Sequence, residues 1–548
     1  MISTGAPGAA WRRRPVALVV LCTLLFLTFL DNTIVSVALA SIRADLQAGV
    51  SALQWVVGAY ALTFAALMLT FGMVSDEFGR KKVMLAGAAV YCAGAATSAL
   101  ATSLGVLIAG RAVMGLGAAA SEPGTLSMIR QLYLDDRSRN RALGIWAAVS
   151  GFSLALGPVL GGILVGAWSW RGIFWFDVTF GLAALAVAAL VLPESADPKA
   201  GRVDIPGTVL GAGALAALVF AIINGETSGF AAADVIALYC VSAIAAVAFV
   251  IWERRAPHPL LDLHFLRVAR FATPNVIAAC CYFATFAIFF FTALYLGVVA
   301  GYSGFRIAAV FLPMTIVMIA ASLVAGRLTT LVGIRMSLVA GCLLFAAGLL
   351  VTNLVLGPHP GYLALAAALG LAGVGLGATV VPVTSSVLAA VPPQRSGMAA
   401  SATNTSREVG AVVGVVVLGA LVNAELRAGL ISRMTRLNLP ASLQTLVIGI
   451  VQTGGGPAGL GGLSTGGSGG SGGSSGPGGS GGAGGVSGLG GSGGLIGQLF
   501  QAGYAAFESA LHVALYLSAA LLAGAALLAA ITLRRRPQVA ESTSSRRS

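Results

Sequence analysis

Apolar residues in this chain run in long stretches, each about the 20 residues that a helix needs to cross a bilayer, and the polar residues collect in short breaks between them. Fourteen stretches are predicted as membrane helices. The first seven are Pro15 to Leu39, Gln54 to Met73, Val83 to Leu100, Leu104 to Met128, Ala142 to Val165, Ile173 to Leu192 and Ile205 to Ile223. The second seven are Ala231 to Trp252, Phe271 to Val299, Ile307 to Ala325, Met336 to Leu356, Tyr362 to Leu388, one ending near Ala424, and Ala505 to Leu533. The first stretch is too long, and too poor in a cleavage site, for a signal peptide. It is read as a retained span.

The break from Gly72 to Lys82 packs five charges between two apolar stretches, and is predicted as a short loop at a membrane surface. Gly326 to Arg335 is a worn copy of it without the Asp. The first copy follows span 2 and the second follows span 10, so the second repeat starts at span 9. Spans 7 and 8 are then an inserted pair. The predicted fold is all-α: two six-helix bundles, residues 15–192 and 271–533, with the inserted spans and their loops in 193–270. Two bundles related by an axis along the membrane normal are the parallel-repeat plan of secondary transporters, with the substrate site between them.

Composition agrees with that reading. The chain is 57% hydrophobic with a mean hydropathy of +0.92, above the roughly 45–50% apolar content of soluble chains. A net charge of +13 first suggests nucleic acid, but the charges are sorted by loop rather than gathered on a polar domain. With the N-terminus in the cytoplasm, 24 of the 32 Lys and Arg fall on inner segments, among them Arg12 to Arg14, Arg80 to Lys82 and Arg534 to Arg536. This asymmetry predicts cytoplasmic termini, tails 1–14 and 534–548. All six cysteines lie in predicted spans, which supports neither a disulfide framework nor a zinc site. No nucleotide-binding G-x-x-x-x-G-K-[ST] is present to drive a pump, and no nucleophile, metal or cofactor constellation supports an enzyme.

One stretch departs from the pattern. Residues 454–495 hold 24 glycines in 42 positions and no charge, too little apolar surface to fold. As a flexible coil the stretch has an end-to-end distance of about 35 Å. It reads as a tolerated expansion of the outer loop between spans 13 and 14, or as a tether or cap for the outer vestibule.

Among the charged residues that fall inside spans, four are the candidates for chemistry. A carboxylate mid-membrane costs about 2.5–3.5 kcal/mol on insertion scales, so it faces a cavity or a partner. Withdrawn from water, a carboxyl group also holds its proton more tightly. Asp31 in span 1 is the first choice for proton coupling, a structural hydrogen-bonding role being the alternative. Arg111 in span 4 stays charged and needs a counter-charge, for which Asp31 is the candidate. Glu122, followed by Pro123, lies in the inner half of span 4, with contact to substrate or protons as one role and an inner, water-exposed position as the other. A helix that starts near Ser396 carries Glu408 about 18 Å inward, where it is an extra proton or cation site or an intrahelical partner. Adjacent residues on a helix do not face each other, so Arg407 is not expected to neutralise it.

The motifs around these residues resemble one family. Gly72 to Met84 resembles the loop signature of the major facilitator superfamily, with Val74 and Glu77 as departures. The resemblance implies that Gly72, Asp76, Gly79, Arg80 and Lys81 form a cytoplasmic latch for one state of an alternating-access cycle; holding the loop inside by charge alone is the alternative. Leu30 to Leu39 is similar to the span-1 motif of the fourteen-span drug:proton antiporter branch, and Leu107 to Ala119 to the superfamily's span-4 motif with its buried arginine. Gly151, Gly157, Pro158, Gly161 and Gly162 are similar to the span-5 motif that accompanies antiport in this superfamily. Trp168 to Phe174 and the run Asn404, Arg407, Glu408, Val409 and Gly410 fit the same branch, with Asp177 standing where the family has Asn.

Together these imply a plasma-membrane, multi-pass bacterial multidrug exporter that exchanges amphipathic drugs or antibiotics for protons. It would act as a monomer, without cofactor, metal or nucleic acid. The alternatives are a dedicated exporter of one metabolite or antibiotic, an uptake symporter, or a sensor that has kept the fold.

Overall fold

The computed structural model describes residues 7–133, 135–194, 203–257, 259–357, 360–392, 396–436 and 495–533. Residues 454–494 of the Gly/Ser-rich stretch, residues 1–6 and the tail 534–548 lie outside these. Fourteen long helices make up the described chain. They are α1 (Pro7–Leu46), α2 (Val50–Phe78), α3 (Arg80–Ala99), α4 (Leu104–Leu132), α5 (Asp136–Ala167), α6 (Arg171–Val191) and α7 (Ile205–Ser228). Then follow α8 (Ala233–Glu253), α9 (Ala269–Val298), α10 (Gly304–Val332), α11 (Ile334–Val355), α12 (Tyr362–Ala389), α13 (Ser396–Arg436) and α14 (Leu495–Thr532). Thirteen are long and apolar enough to span a membrane, and α5, bent by 43° in its middle, makes a fourteenth when counted as one span.

Local chemistry sets several helix starts. The side chains of Ser103, Asp135, Asp204 and Ser303 accept from the backbone N–H groups of Val106, Ser138, Gly207 and Arg306, satisfying donors left over at the first turn. The apolar stretches continue into polar flanks, so α1 begins before its predicted span, α13 runs twelve residues past Ala424, and α14 starts ten before Ala505.

The packing repeats with a shift of eight helices. In the first half α4 packs on α2 and α3, α5 on α1, and α6 on α3 and α1; in the second α12 packs on α10 and α11, α13 on α9, and α14 on α11 and α9. Between the halves α5 packs on α10 and α13 on α2, which is one contact and its symmetry equivalent. α7 and α8 pair with each other, and α7 leans on α2 and α13 through Val219 and Ile223 against Ala61, Leu62, Val412 and Val416. The two halves meet along a central seam formed by α1, α2, α4, α5, α9, α10, α12 and α13.

The loop predicted at Gly72 to Lys82 shrinks to one residue: α2 runs to Phe78 and α3 starts at Arg80. Gly79 makes the turn at φ 111°, a conformation that side chains with a Cβ avoid. Gly333, at the same place in the second copy, makes the α10–α11 turn at φ 88°. The charges of the motif are thus the ends of two helices.

Candidate functional site

Arg111 is buried on α4 and takes three contacts from neighbouring helices. Its Nη1 donates to Asp31 Oδ2 at 2.5 Å, its Nε donates to the carbonyl of Val56 at 2.9 Å, and its guanidinium lies 4.6 Å from the centroid of the Tyr60 ring. Tyr60 is fixed in turn by donation to the Thr28 carbonyl at 2.8 Å. A buried guanidinium without a counter-charge costs several kcal/mol, and Asp31 supplies that charge. The geometry thus places Asp31 against Arg111, while Asp31 Oδ1 and Arg111 Nη2 have no hydrogen-bond partner among the described residues.

The other two acids sit on the seam between the halves. Asn404, Arg407 and Glu408 on α13 occupy one and a bit turns, so positions 404 and 408 share a face and turn it toward the first bundle. Asn32 Nδ2 donates to Glu408 Oε1 at 2.9 Å, and Asn404 Nδ2 donates to Glu122 Oε1 at 2.7 Å. Both glutamates are 2% exposed or less. Arg407 stands near enough for its charge to act on both glutamates but donates to neutral groups: its Nη1 to Asn404 Oδ1 at 3.2 Å and its Nη2 to Thr384 Oγ1 at 3.0 Å. Each glutamate is therefore held by a neutral amide across the seam, and Oε2 of each has no hydrogen-bond partner among the described residues. Glu122 is buried rather than open to water.

The small residues of α5 bring helices into backbone contact. A Cβ at Gly161 would stand 2.6 Å from the Ile34 carbonyl, and at Gly162 2.6 Å from the Ala308 Cβ on α10; one at Gly157 would strike Thr33. Gly151 faces Ser322 and Val380 of the second half at 3.6 and 3.9 Å. Pro158 has no N–H, so the Leu154 carbonyl loses its helical donor; Thr33 Oγ1 on α1 donates to it instead at 2.8 Å. The same device recurs twice. Tyr362 donates to Ala309, the carbonyl freed by Pro313, and Ser386 to Arg270, freed by Pro274, at 3.2 and 3.0 Å.

At the α2–α3 turn, Arg80 Nε donates to Asp76 Oδ1 at 2.7 Å, and Lys81 Nζ to the Ala189 carbonyl of α6 at 2.7 Å. Glu194 accepts from the Lys81 backbone N–H at 3.2 Å, placing a carboxylate at the start of α3, where the helix dipole favours it. Glu77, a departure from the family pattern, accepts from the Val203 N–H at 3.3 Å. Gly72 lies against Ser401 and Pro123, where a Cβ would meet atoms at 3.6 and 3.8 Å.

Sequence reading brought together Asp31 and Arg111 but missed Asn32, Thr384 and Tyr60 as partners, because an uncharged polar residue in a span can be satisfied in many ways and carries no signal of which group it meets. Asn404 was visible within a motif, with no signal for what it binds. His512 on α14 is hydrogen-bonded through Nδ1 to Asn353 and lies 3.9 Å from Glu508.

The family model for the Major Facilitator Superfamily matches residues 21–415. The chain is 31% identical to a multidrug resistance protein, Stp, of Mycobacterium tuberculosis over 441 residues, 80% of this chain and 82% of the relative. It is 33% identical to a methylenomycin A resistance protein of Bacillus subtilis over 414 residues, 74% of this chain and 87% of the relative. Among solved structures, an inward-facing, unoccupied bacterial homologue of the human lysosomal transporter Spinster superposes with a TM-score of 0.59 at 17% identity, covering 97% of this chain and 100% of that one.

Proposed function

Because the chain belongs to the major facilitator superfamily, we propose that it is a secondary transporter of the plasma membrane that exports amphipathic drugs or antibiotics from the cytoplasm in exchange for entering protons. The relatives are a multidrug resistance protein and a resistance protein for one antibiotic, which supports export as the direction and leaves breadth of substrate to experiment. The Arg80 face is cytoplasmic, with both termini on it, as the loop charges favour. The chain works as a monomer built of bundles 15–192 and 271–533 around the inserted pair, and the repeat of the packing at a shift of eight helices supports that division.

The observation that carries the mechanism is the Asn32–Glu408 bond across the seam, matched by Asn404–Glu122. An ionised carboxylate out of water is costly without a counter-charge, and a proton taken up at one face and released at the other removes that cost. Protonating Glu408 or Glu122 changes the strength of a bond that ties one half to the other, since hydrogen bonds to charged acceptors are roughly twice as strong as neutral ones. Proton load thus biases which arrangement of the halves is favoured, and a cationic or amphipathic substrate competes for the same carboxylates. Asp31, engaged by Arg111, keeps that guanidinium neutralised and oriented, and takes part in proton movement only when the pair opens. The backbone contacts of Gly157, Gly161 and Gly162 give α5 a smooth sliding surface, and the α2–α3 turn latches one state at the cytoplasmic face.

The test is ethidium transport in everted membrane vesicles under an imposed pH gradient. Gradient-driven ethidium uptake into the vesicles supports antiport, and uptake indifferent to the gradient removes it.

A further inference from the structure

Asp177 is the one acid in the heart of the first bundle to which neither the ion pair nor the seam assigns a partner. It lies on α6, fully buried, and neither carboxyl oxygen has a hydrogen-bond partner among the described residues. Its place is fixed by its neighbours one turn away on each side. Phe174 puts its ring centroid 6.0 Å from the Arg111 guanidinium, and Gly181 lies so close to the Cys92 sulfur that a Cβ would stand 2.6 Å from it. Asp177 therefore points into the space between α1, α3 and α4.

The titratable and charged groups around it are Asp31 on α1, Tyr60 on α2, Tyr91 and Cys92 on α3, and Arg111 on α4. The Tyr91 hydroxyl faces it at the margin of hydrogen-bonding geometry, and has no other partner among the described residues. Arg111 has committed Nη1 to Asp31 and Nε to Val56, leaving Nη2 unpartnered. One guanidinium thus stands among two buried carboxyl groups. Two carboxylates cannot both be ionised beside a single cation out of water without a large penalty.

We propose that Asp177 is a proton-carrying residue of the transport cycle, holding a proton while Arg111 pairs with Asp31 and giving it up when Arg111 turns its free Nη2 to Asp177. The proton comes from water on the side to which the bundle is open, forming an O–H bond on an Asp177 oxygen. It leaves to water on the other side, directly or through Asp31 Oδ1, which is unpaired. No electrons move. The consequence is a proton site in the first bundle beyond Glu122 and Glu408, and a higher proton count per substrate than the seam glutamates alone provide. The inference rests on the antiport reading above.

The experiment uses the purified full chain in liposomes, with ethidium as substrate and a lumenal pH dye as the proton reporter. Wild-type protein moving no protons with ethidium overturns the antiport reading and this inference together. Given wild-type coupling, Asp177→Asn is expected to keep ethidium counterflow, which needs no net proton movement, and to move about one proton fewer per ethidium; Asp177→Glu is expected to return the ratio to the wild-type value. An unchanged ratio in Asp177→Asn overturns the inference while antiport stands. So does loss of counterflow together with gradient-driven transport in a folded variant, the mark of a structural residue.

A second measurement needs no variant. Dicyclohexylcarbodiimide modifies protonated carboxyl groups in apolar surroundings, so mass spectrometry of wild-type protein is expected to find Asp177 modified, more at low pH and less with ethidium bound. Absence of modification at Asp177 while Glu408 is modified contradicts the proposal.

Discussion

Asn32 on α1 donates to Glu408 on α13 at 2.9 Å, and this bond joins residues 376 apart in sequence across the seam between the two halves. An amide donor serves a carboxylate and a carboxylic acid alike, so the contact survives protonation while its strength changes. Replacing Glu408 by Gln freezes the neutral form. Glu408→Gln is expected to lower gradient-driven ethidium efflux at least about tenfold, a barrier change of roughly 1.4 kcal/mol, while counterflow persists. Transport assays in vesicles, with and without the gradient, check it; equal loss of both assigns Glu408 to binding or folding.

The Arg111–Asp31 pair makes an asymmetric prediction. Removing one partner leaves a buried charge uncompensated and costs about 3–5 kcal/mol, whereas replacing both with apolar residues of similar size is far cheaper. Asp31→Leu and Arg111→Met are each expected to lower the melting temperature in detergent more than the double variant does. A double variant as unstable as the sum of the singles contradicts the pairing.

Pro158 and Thr33 are bound by one carbonyl, that of Leu154. Pro158→Ala gives Leu154 a helical donor and removes an interior proline, whose presence costs a helix about 3 kcal/mol. The variant is expected to melt higher and to turn over more slowly, since the α5 bend is stiffened. Gly161→Leu, which drives a side chain into the Ile34 carbonyl, is expected to reduce both folding yield and transport.

The α2–α3 turn separates backbone from charge. Gly79 holds φ at 111°, and a Cβ there would approach Glu194 Oε1 to 2.9 Å. Gly79→Ala is expected to cost about 1–2 kcal/mol in stability. The Asp76–Arg80 pair is partly exposed on the Asp side, so Asp76→Asn is expected to change stability by less than about 1 kcal/mol. Any large effect of Asp76→Asn then shows in transport rate, by shifting the balance between states. Melting curves and initial rates on the same samples distinguish the two.

The spans were legible because an apolar run of membrane length has no other stable home. The ends of α1, α13 and α14 were not, because those helices continue into residues that hydropathy scores as loop. The Gly79 and Gly333 turns were visible as a repeated motif, yet their length was overestimated: charges at helix ends look like loop residues until the backbone is seen. Arg111 announced its need of a counter-charge, and Asp31 was a charge in another span, so the pair could be anticipated. Glu408 and Glu122 were visible as costly acids, but nothing in the sequence says which groups satisfy them: Asn32 and Asn404 are uncharged and can be satisfied within a span in many ways. Asp177 was read as a departure from a motif, and its place beside Arg111 and Tyr91 emerges only from the packing of α6 on α1 and α3.

Proton-coupled export through the seam is tested most directly by ethidium flux in everted vesicles with the lumen made acidic, comparing wild type with Glu408→Gln and Asp31→Asn. The expected result is wild-type uptake that collapses when the gradient is dissipated, near-complete loss of the gradient-driven component in Glu408→Gln with counterflow retained, and impaired folding in Asp31→Asn. Full gradient-driven uptake in Glu408→Gln, or wild-type uptake unaffected by dissipating the gradient, contradicts it.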